Sequence, residues 1–256
     1  MLLTGATGGL GHAIARALGE RGGQLVLTGR RAEVLEPLAA ELGARALAMD
    51  LAQPGEVERL LDEAGEVDVL VANAALPASG TLDTYTVEQI DRALAVNVRA
   101  PIVLSHGLVG SMVARGGGHL VFMSSLSGKA ASAGAALYNA SKYALRGFAS
   151  ALRADLHGTG VGVSAVFPGF IRDAGMFADA RVKLPPGVGT RSPEEVAAAV
   201  VDAIEHNRGE VDVAPLPLRA SAMLGSVAPE LAAGLARRLG AEELGRRMGT
   251  AQRDKR

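Results

Sequence analysis

The chain has 256 residues, 48% of them hydrophobic but only 3% aromatic, and a formal net charge of −1. Near-balanced charge with scattered arginines argues against a general nucleic-acid binder, and the absence of cysteine excludes disulfides, thiolate nucleophiles and sulfur-ligated metals. His12, His106, His119, His157 and His206 show no metal-ligand spacing, no apolar run reaches bilayer length and no signal peptide is legible, so a cytoplasmic protein without a membrane span is expected.

In chain order, short apolar runs alternate with longer amphipathic stretches. "MLL" reads as a strand, a glycine-rich turn follows, and "LGHAIARALGERG" reads as a helix. "QLVLTG" is a strand, "RAEVLEPLAAELG" a helix closed by glycine, "ARALAMD" a strand, "QPGEVERLLDEAG" a helix and "VDVLVANA" a strand. The stretch from Thr86 to the glycines after Arg115 reads as one long helix. "GHLVFMSS" is a strand, "AALYNASKYALRGFASALRADLHGTG" a helix and "VGVSAVFPG" a strand. "SPEEVAAAVVDAIEHNRG" is a helix with Ser192 at its N-cap, Pro193 at its first position and Glu195 closing a capping box. "EVDVAP" is a last strand.

Strands apolar on both faces, alternating with helices, predict an α/β fold: a doubly wound, Rossmann-type parallel sheet with helices on both faces. No repeat or linker divides residues 1–256, so one domain is expected. The segment 173–191 has little pattern and the length of a lid. Residues 215–249 predict one or two further C-terminal helices, and the basic end "RRMGTAQRDKR" reads as a solvated tail.

"TGATGGLG" (Thr4, Gly5, Ala6, Thr7, Gly8, Gly9, Leu10, Gly11) lies between the first strand and first helix, the place of a dinucleotide turn. Gly5 permits the tight turn, Gly9 lets a pyrophosphate approach the backbone at a helix N-terminus, and Gly11 permits close helix packing. After the second strand, where an acidic residue would bond the adenosine ribose, stands Gly29, then Arg30 and Arg31. Guanidinium groups bind phosphate bidentately, so the pattern favours NADP(H), with NAD(H) still open. The alternative is two ordinary helix-start arginines. Asp50 and Leu51 in "MDLA" and Asn73 and Ala74 in "VANAA" end the third and fourth strands, with Asp50 placed to accept from an adenine amino group.

"YNASK" sets Tyr138 and Lys142 one helical turn apart, a spacing that alone does not separate a proton-transferring pair from a chance helix. Ser125 at the end of the fifth strand, Asn97 inside the long helix and "PGFI" (Pro168, Gly169, Phe170, Ile171) after the sixth are the added signals. With the glycine turn and "ANAA", in that order and spacing over residues 2–214, the chain resembles the single-domain short-chain dehydrogenase/reductases of about 250 residues. The resemblance implies an enzyme that moves a hydride between nicotinamide and a carbonyl or secondary alcohol. In it Ser125 polarises the carbonyl, Tyr138 is the proton donor or acceptor, and Lys142 favours the phenolate and binds the nicotinamide ribose. The Asn97 main chain holds a relay water, and the chain assembles as a homodimer or homotetramer through the helices carrying Asn97 and Tyr138.

The sequence departs from the family pattern in four places. The first strand is short, which leaves open residues upstream of Met1. Ala72 and Ala75 replace an asparagine and a glycine. Asp173 stands where a threonine bonds the carboxamide. Phe170, Met176, Phe177 and Leu184 predict an apolar substrate pocket, or else simply pack the lid. A binding protein with little turnover is the competing class, disfavoured because Ser125, Tyr138 and Lys142 are all present. An isomerase or dehydratase would resemble a longer chain with an added substrate domain.

Overall fold

The computed structural model describes residues 1–182, 184, 188–238 and 241–252. Its elements are β1 (Leu2–Thr4), α1 (Gly9–Glu20), β2 (Val26–Gly29), α2 (Ala32–Leu42), β3 (Arg45–Ala48), α3 (Glu56–Ala64), β4 (Val69–Ala72), α4 (Val87–Leu94) and α5 (Ala100–Arg115). There follow β5 (Gly118–Met123), α6 (Ala136–Asp155), β6 (Val161–Pro168), α7 (Gly175–Ala180), α8 (Pro193–Glu205), β7 (Glu210–Val213), α9 (Leu216–Val227), α10 (Pro229–Arg238) and α11 (Ala241–Ala251).

The seven strands are parallel and lie in the order β3-β2-β1-β4-β5-β6-β7. The order reverses between β1 and β4, so a crevice opens at their carboxyl ends. One face carries a core of Ile14, Leu18, Leu35, Leu38, Val196 and Val200 from α1, α2 and α8. The other carries Val57, Leu60, Leu104, Leu108, Leu145 and Ala149 from α3, α5 and α6. Because both faces are covered, every residue of β4 and β6 is buried, which explains their largely apolar sequences. β1 is only three residues long, yet it is central and fully enclosed, with Leu2 and Leu3 at 0% exposure.

The capping boxes at Thr86 and Ser192 form with Gln89 and Glu195 as partners, and Gly116 in the left-handed region (φ 69°) ends α5. The predicted long helix is interrupted, however, by a π-helical turn, Ala95–Arg99, joining α4 to α5. Val87–Arg115 as a whole is 29 residues and meets the length and composition needed to cross a membrane, so the sequence reading of no such run is corrected. In the fold this helix serves the core: Ala93, Val96, Ala100, Leu104, Leu108 and Met112 are buried. Three C-terminal helices form where one or two were expected. α7 occupies part of the segment expected to lack a helix; the remainder of that expectation at 183 and 185–187 lies outside the described residues. The basic end is not a free tail through residue 252: Arg246 and Arg247 pair with Glu243 in α11, and Gln252 is buried. Residues 253–256, and 239–240 of the C-terminal extension, lie outside the described residues.

One buried histidine makes the fold acid-sensitive. His119 is 5% exposed on β5, 2.7 Å from the Ser164 hydroxyl, and burial pushes it down to about 4. A histidine buried neutral contributes stability above its unfolded value near 6.5, and that contribution is lost as pH falls from there through about 4. The expected loss is on the order of 3 kcal/mol across that window. Denaturant titrations at pH 7 and pH 4.5 check it: His119→Gln should flatten the dependence, and an equally steep variant refutes the assignment.

Candidate active site

A cavity of about 1550 Å³ follows the carboxyl ends of the strands, more than the roughly 300–1,000 Å³ of one drug-sized pocket. The site residues expected from sequence line it, except Thr4, Asn97 and, from the apolar pocket, Leu184. Thr4 and Asn97 act from behind. Thr4 Oγ1 accepts the Asn73 and Ala74 amides at 3.0 Å each. Asn73 Nδ2 donates to the Thr4 and Gly5 carbonyls at 3.1 and 3.2 Å. These bonds clamp the end of β4 against the glycine turn. Gly5 has φ 68° and a Cβ there would lie 2.7 Å from Ala74 Cα, so both its backbone and its neighbour demand glycine. A Cβ at Gly11 would strike the Gly5 carbonyl, as expected for close packing of α1. At Gly9 the close neighbour is the Ala174 methyl, 2.5 Å from such a Cβ, so the segment leading into α7 rests on the turn.

Gly8 is the N-cap of α1 and supplies no side-chain cap. Its first-turn N–H groups therefore face the cavity without a side-chain acceptor, the condition for holding an anion. Gly29 packs on Thr7: a Cβ there would lie 2.7 Å from Thr7 Cγ2. Arg31 donates to the Thr7 carbonyl at 2.5 Å. Arg30 lines the cavity, exposed, and its guanidinium makes no hydrogen bond or ion pair among the described residues. Asp50 is less free than expected. Its Oδ2 takes Arg92 at 2.7 Å and its Oδ1 the Ala52 amide at 3.2 Å. Burial pushes its carboxyl up, but those two bonds and the arginine charges bring it below the usual range.

Ser124 and Ser125 end the path of β5, and α6 brings Tyr138 and Lys142 beside them. Ser124 Oγ donates to the Lys142 carbonyl at 2.9 Å, and a Cβ at Gly128 would lie 2.7 Å from that same oxygen. Sequence reasoning missed both residues, because their importance lies in a contact 14 to 18 positions away along the chain. Ser125 Oγ accepts the Ser127 amide at 3.1 Å and bonds the enclosed Tyr138 hydroxyl. Lys142, 3% exposed, donates to the Met123 carbonyl at 2.8 Å, with its Nζ 5.6 Å from the Tyr138 ring centroid.

Burial sets the electrostatics of this pair. Burial pushes the Tyr138 phenol up, only partly offset by the Ser125 hydrogen bond. Burial also pushes Lys142 down to about 8. Each group is penalised for its own charge, and the Lys142 ammonium donates to the Met123 carbonyl. Asn97 is fully buried in the π-helical turn, its Oδ1 accepting the Leu76 amide at 2.7 Å and its Nδ2 donating to the Leu76 carbonyl at 3.0 Å. It pins the loop after β4 to the long helix, and α6 packs on the same turn.

Ile171, 4% exposed, bridges to Arg191 and borders the cavity with Pro168 and Gly169. Phe170 and Phe177 meet at a tilt of 56° with 5.0 Å between centroids and line it with Met176. Leu184 does not join them, and Asp173 turns outward, exposed at φ 67° and paired with Arg172 at 3.4 Å.

This sheet, glycine turn and serine–tyrosine–lysine cluster define an enzyme of the nucleotide-binding α/β class. The model of the short chain dehydrogenase family matches residues 1–184. The chain is 36% identical over 230 residues to the ketoacyl reductase HetN of a Nostoc species, covering 86% of this chain and 80% of that one. It is 32% identical to mouse dehydrogenase/reductase SDR family member 7B, over 82% of this chain and 72% of that one. Among solved structures, a short-chain dehydrogenase from Sphingobium yanoikuyae in complex with NADPH superposes with a TM-score of 0.78 at 27% identity, over 90% and 94% of the two chains. The chain belongs to the short-chain dehydrogenase/reductase family and is an oxidoreductase of that family.

Proposed function

We propose that the chain interconverts a hydrophobic ketone and its secondary alcohol with NADP(H). The observation that carries this reading is one cavity holding Ser125, Tyr138 and Lys142 together with Arg30, whose guanidinium makes no hydrogen bond or ion pair among the described residues. The open α1 N-terminus fits a pyrophosphate, and an exposed guanidinium fits a 2′-phosphate. Gly29 leaves no carboxylate to repel that phosphate. When bound, the nicotinamide would supply or receive the hydride. Tyr138 donates its proton to the carbonyl oxygen, and its raised pKa keeps it protonated for that task at neutral pH. Ser125 orients the same oxygen. Lys142 carries the proton supply behind Tyr138, and Asn97 holds the π-helical turn against which α6 rests.

The apolar wall of Phe170, Met176 and Phe177, together with the likeness to a ketoacyl reductase, supports an aliphatic or acyl-chain carbonyl. Exposed Leu94, Val113 and Tyr143, on the helices that carry Asn97 and Tyr138, support a homo-oligomer.

The test is a fluorescence titration with NADPH and NADH, followed by a panel of hydrophobic ketones. Wild type should bind NADPH at least about tenfold tighter, and Arg30→Ala should erase the difference while sparing NADH. Equal binding of both cofactors by wild type refutes the preference; tight binding without ketone reduction refutes the substrate class.

A further inference from the structure

The C-terminal helix α11 lies against the two loops that frame the cavity. The loops are themselves joined, Gly80 donating to the Gly134 carbonyl at 2.7 Å. Gly245 and Gly249, one turn apart on α11, sit on them. A Cβ at Gly249 would lie 2.7 Å from Gly80 Cα, and one at Gly245 would strike the Ala133 carbonyl. The first of these loops receives the Tyr138 amide at Ala78 (3.2 Å), so α11 rests on the backbone that leads into the catalytic helix.

One turn further along, Gln252 is 1% exposed and lines the cavity with Leu244 and Met248. Its Nε2 donates to the Met176 carbonyl of α7 at 3.1 Å, tying α11 to the lid. Its Oε1 is buried and accepts no hydrogen bond among the described residues. The same cavity is lined by the apolar Met176 and Phe177 from α7 and Leu218 and Leu224 from α9. An amide oxygen kept from water and left unpaired is costly, and its natural remedy is a donor brought by a ligand.

We infer that α11 is part of the substrate site and that Gln252 is a specificity-determining residue, recognising a hydroxyl or amide N–H on an otherwise apolar carbonyl substrate. The inference rests on the carbonyl reading proposed above. Gly245 and Gly249 let the helix sit close enough to present the carboxamide, and the Met176 bond orients it. A ligand that donates to Oε1 therefore also favours the closed pairing of α11 with α7.

The experiment measures binding rather than turnover. Calorimetry on the Tyr138→Phe chain loaded with NADPH would compare nonan-2-one with 9-hydroxynonan-2-one, in otherwise wild-type, Gln252→Leu and Gln252→Met backgrounds. The hydroxyketone should bind about tenfold tighter than the plain ketone, the worth of one buried hydrogen bond. Both substitutions should erase that difference while changing the plain ketone less than about twofold. Gly245→Val, which lifts the helix, should weaken both ketones and leave NADPH binding unchanged. Equal affinity for the two ketones, or a preference that survives in both Gln252 variants, overturns the inference. If neither ketone binds, it falls together with the hydrophobic-carbonyl reading. If both bind with the expected preference and only wild-type turnover is silent, the catalytic reading alone fails.

Discussion

Tyr138→Phe is expected to lower kcat about 10³-fold for ketone reduction while leaving NADPH affinity within about twofold. The substitution removes a single oxygen, the one that bonds Ser125. It keeps the ring that sits beside Lys142 and among Ala78, Ala93 and Leu137. Packing is conserved, so stability should move little. Loss of the hydroxyl removes only the proton that must reach the developing alkoxide, a contribution of about 10²–10⁴ in general acid catalysis. Stopped-flow reduction under single-turnover conditions checks it, since slow product release would otherwise mask the chemical step. A loss below tenfold would mean that water or Ser125 supplies the proton, and Tyr138 would be reduced to an orienting role.

Lys142→Met is expected to remove at least about 10²-fold of activity and at the same time to stabilise the fold at pH 7. Burial holds Lys142 at about 8, against an ordinary value of 10.5. A lysine with a lowered folded-state pKa binds fewer protons folded than unfolded between those two values. Stability therefore rises as pH climbs from about 8 toward 10.5, and below about 8 the full burial cost stands. That cost is on the order of 3 kcal/mol. Methionine avoids it and keeps the stem's volume, at the expense of the bond to the Met123 carbonyl, worth about 1 kcal/mol. The net gain predicts a thermal midpoint about 5 °C higher at pH 7, with no gain at pH 10.5. Scanning calorimetry at the two pH values decides; a lower midpoint at pH 7 would show that the carbonyl bond outweighs the buried charge. In wild type, activity that needs the ammonium should fall as pH rises through about 8.

The parts of this molecule that were legible in its sequence are those written in local chemistry. The inner strands announce themselves because they are largely apolar and buried on both faces, and the box of Ser192 and Glu195 lies within four residues. Tyr138 and Lys142 share one turn of α6. What stayed hidden depends on partners far along the chain. The π-helical turn at Ala95–Arg99 has no periodicity of its own to distinguish it from the helix on either side. Asp50 looked free because Arg92 is 42 positions away. Gln252, in the middle of a basic stretch, reads as solvent-facing until α11 is laid on Gly80 and Gly134. The lowered pKa of Lys142 follows from burial, which no spacing rule reports.

The contact of Gly29 with Thr7 has a bearing on how such a chain could change over time. A carboxylate at the end of β2, where it would meet an adenosine ribose, is a single substitution on paper. Its Cβ would arrive 2.7 Å from Thr7 Cγ2 and 2.9 Å from Thr7 Oγ1, so the Thr7 side chain must give way before the acid fits. Position 7 and position 29 are therefore coupled by sterics, and a change of side chain at one is felt first at the other.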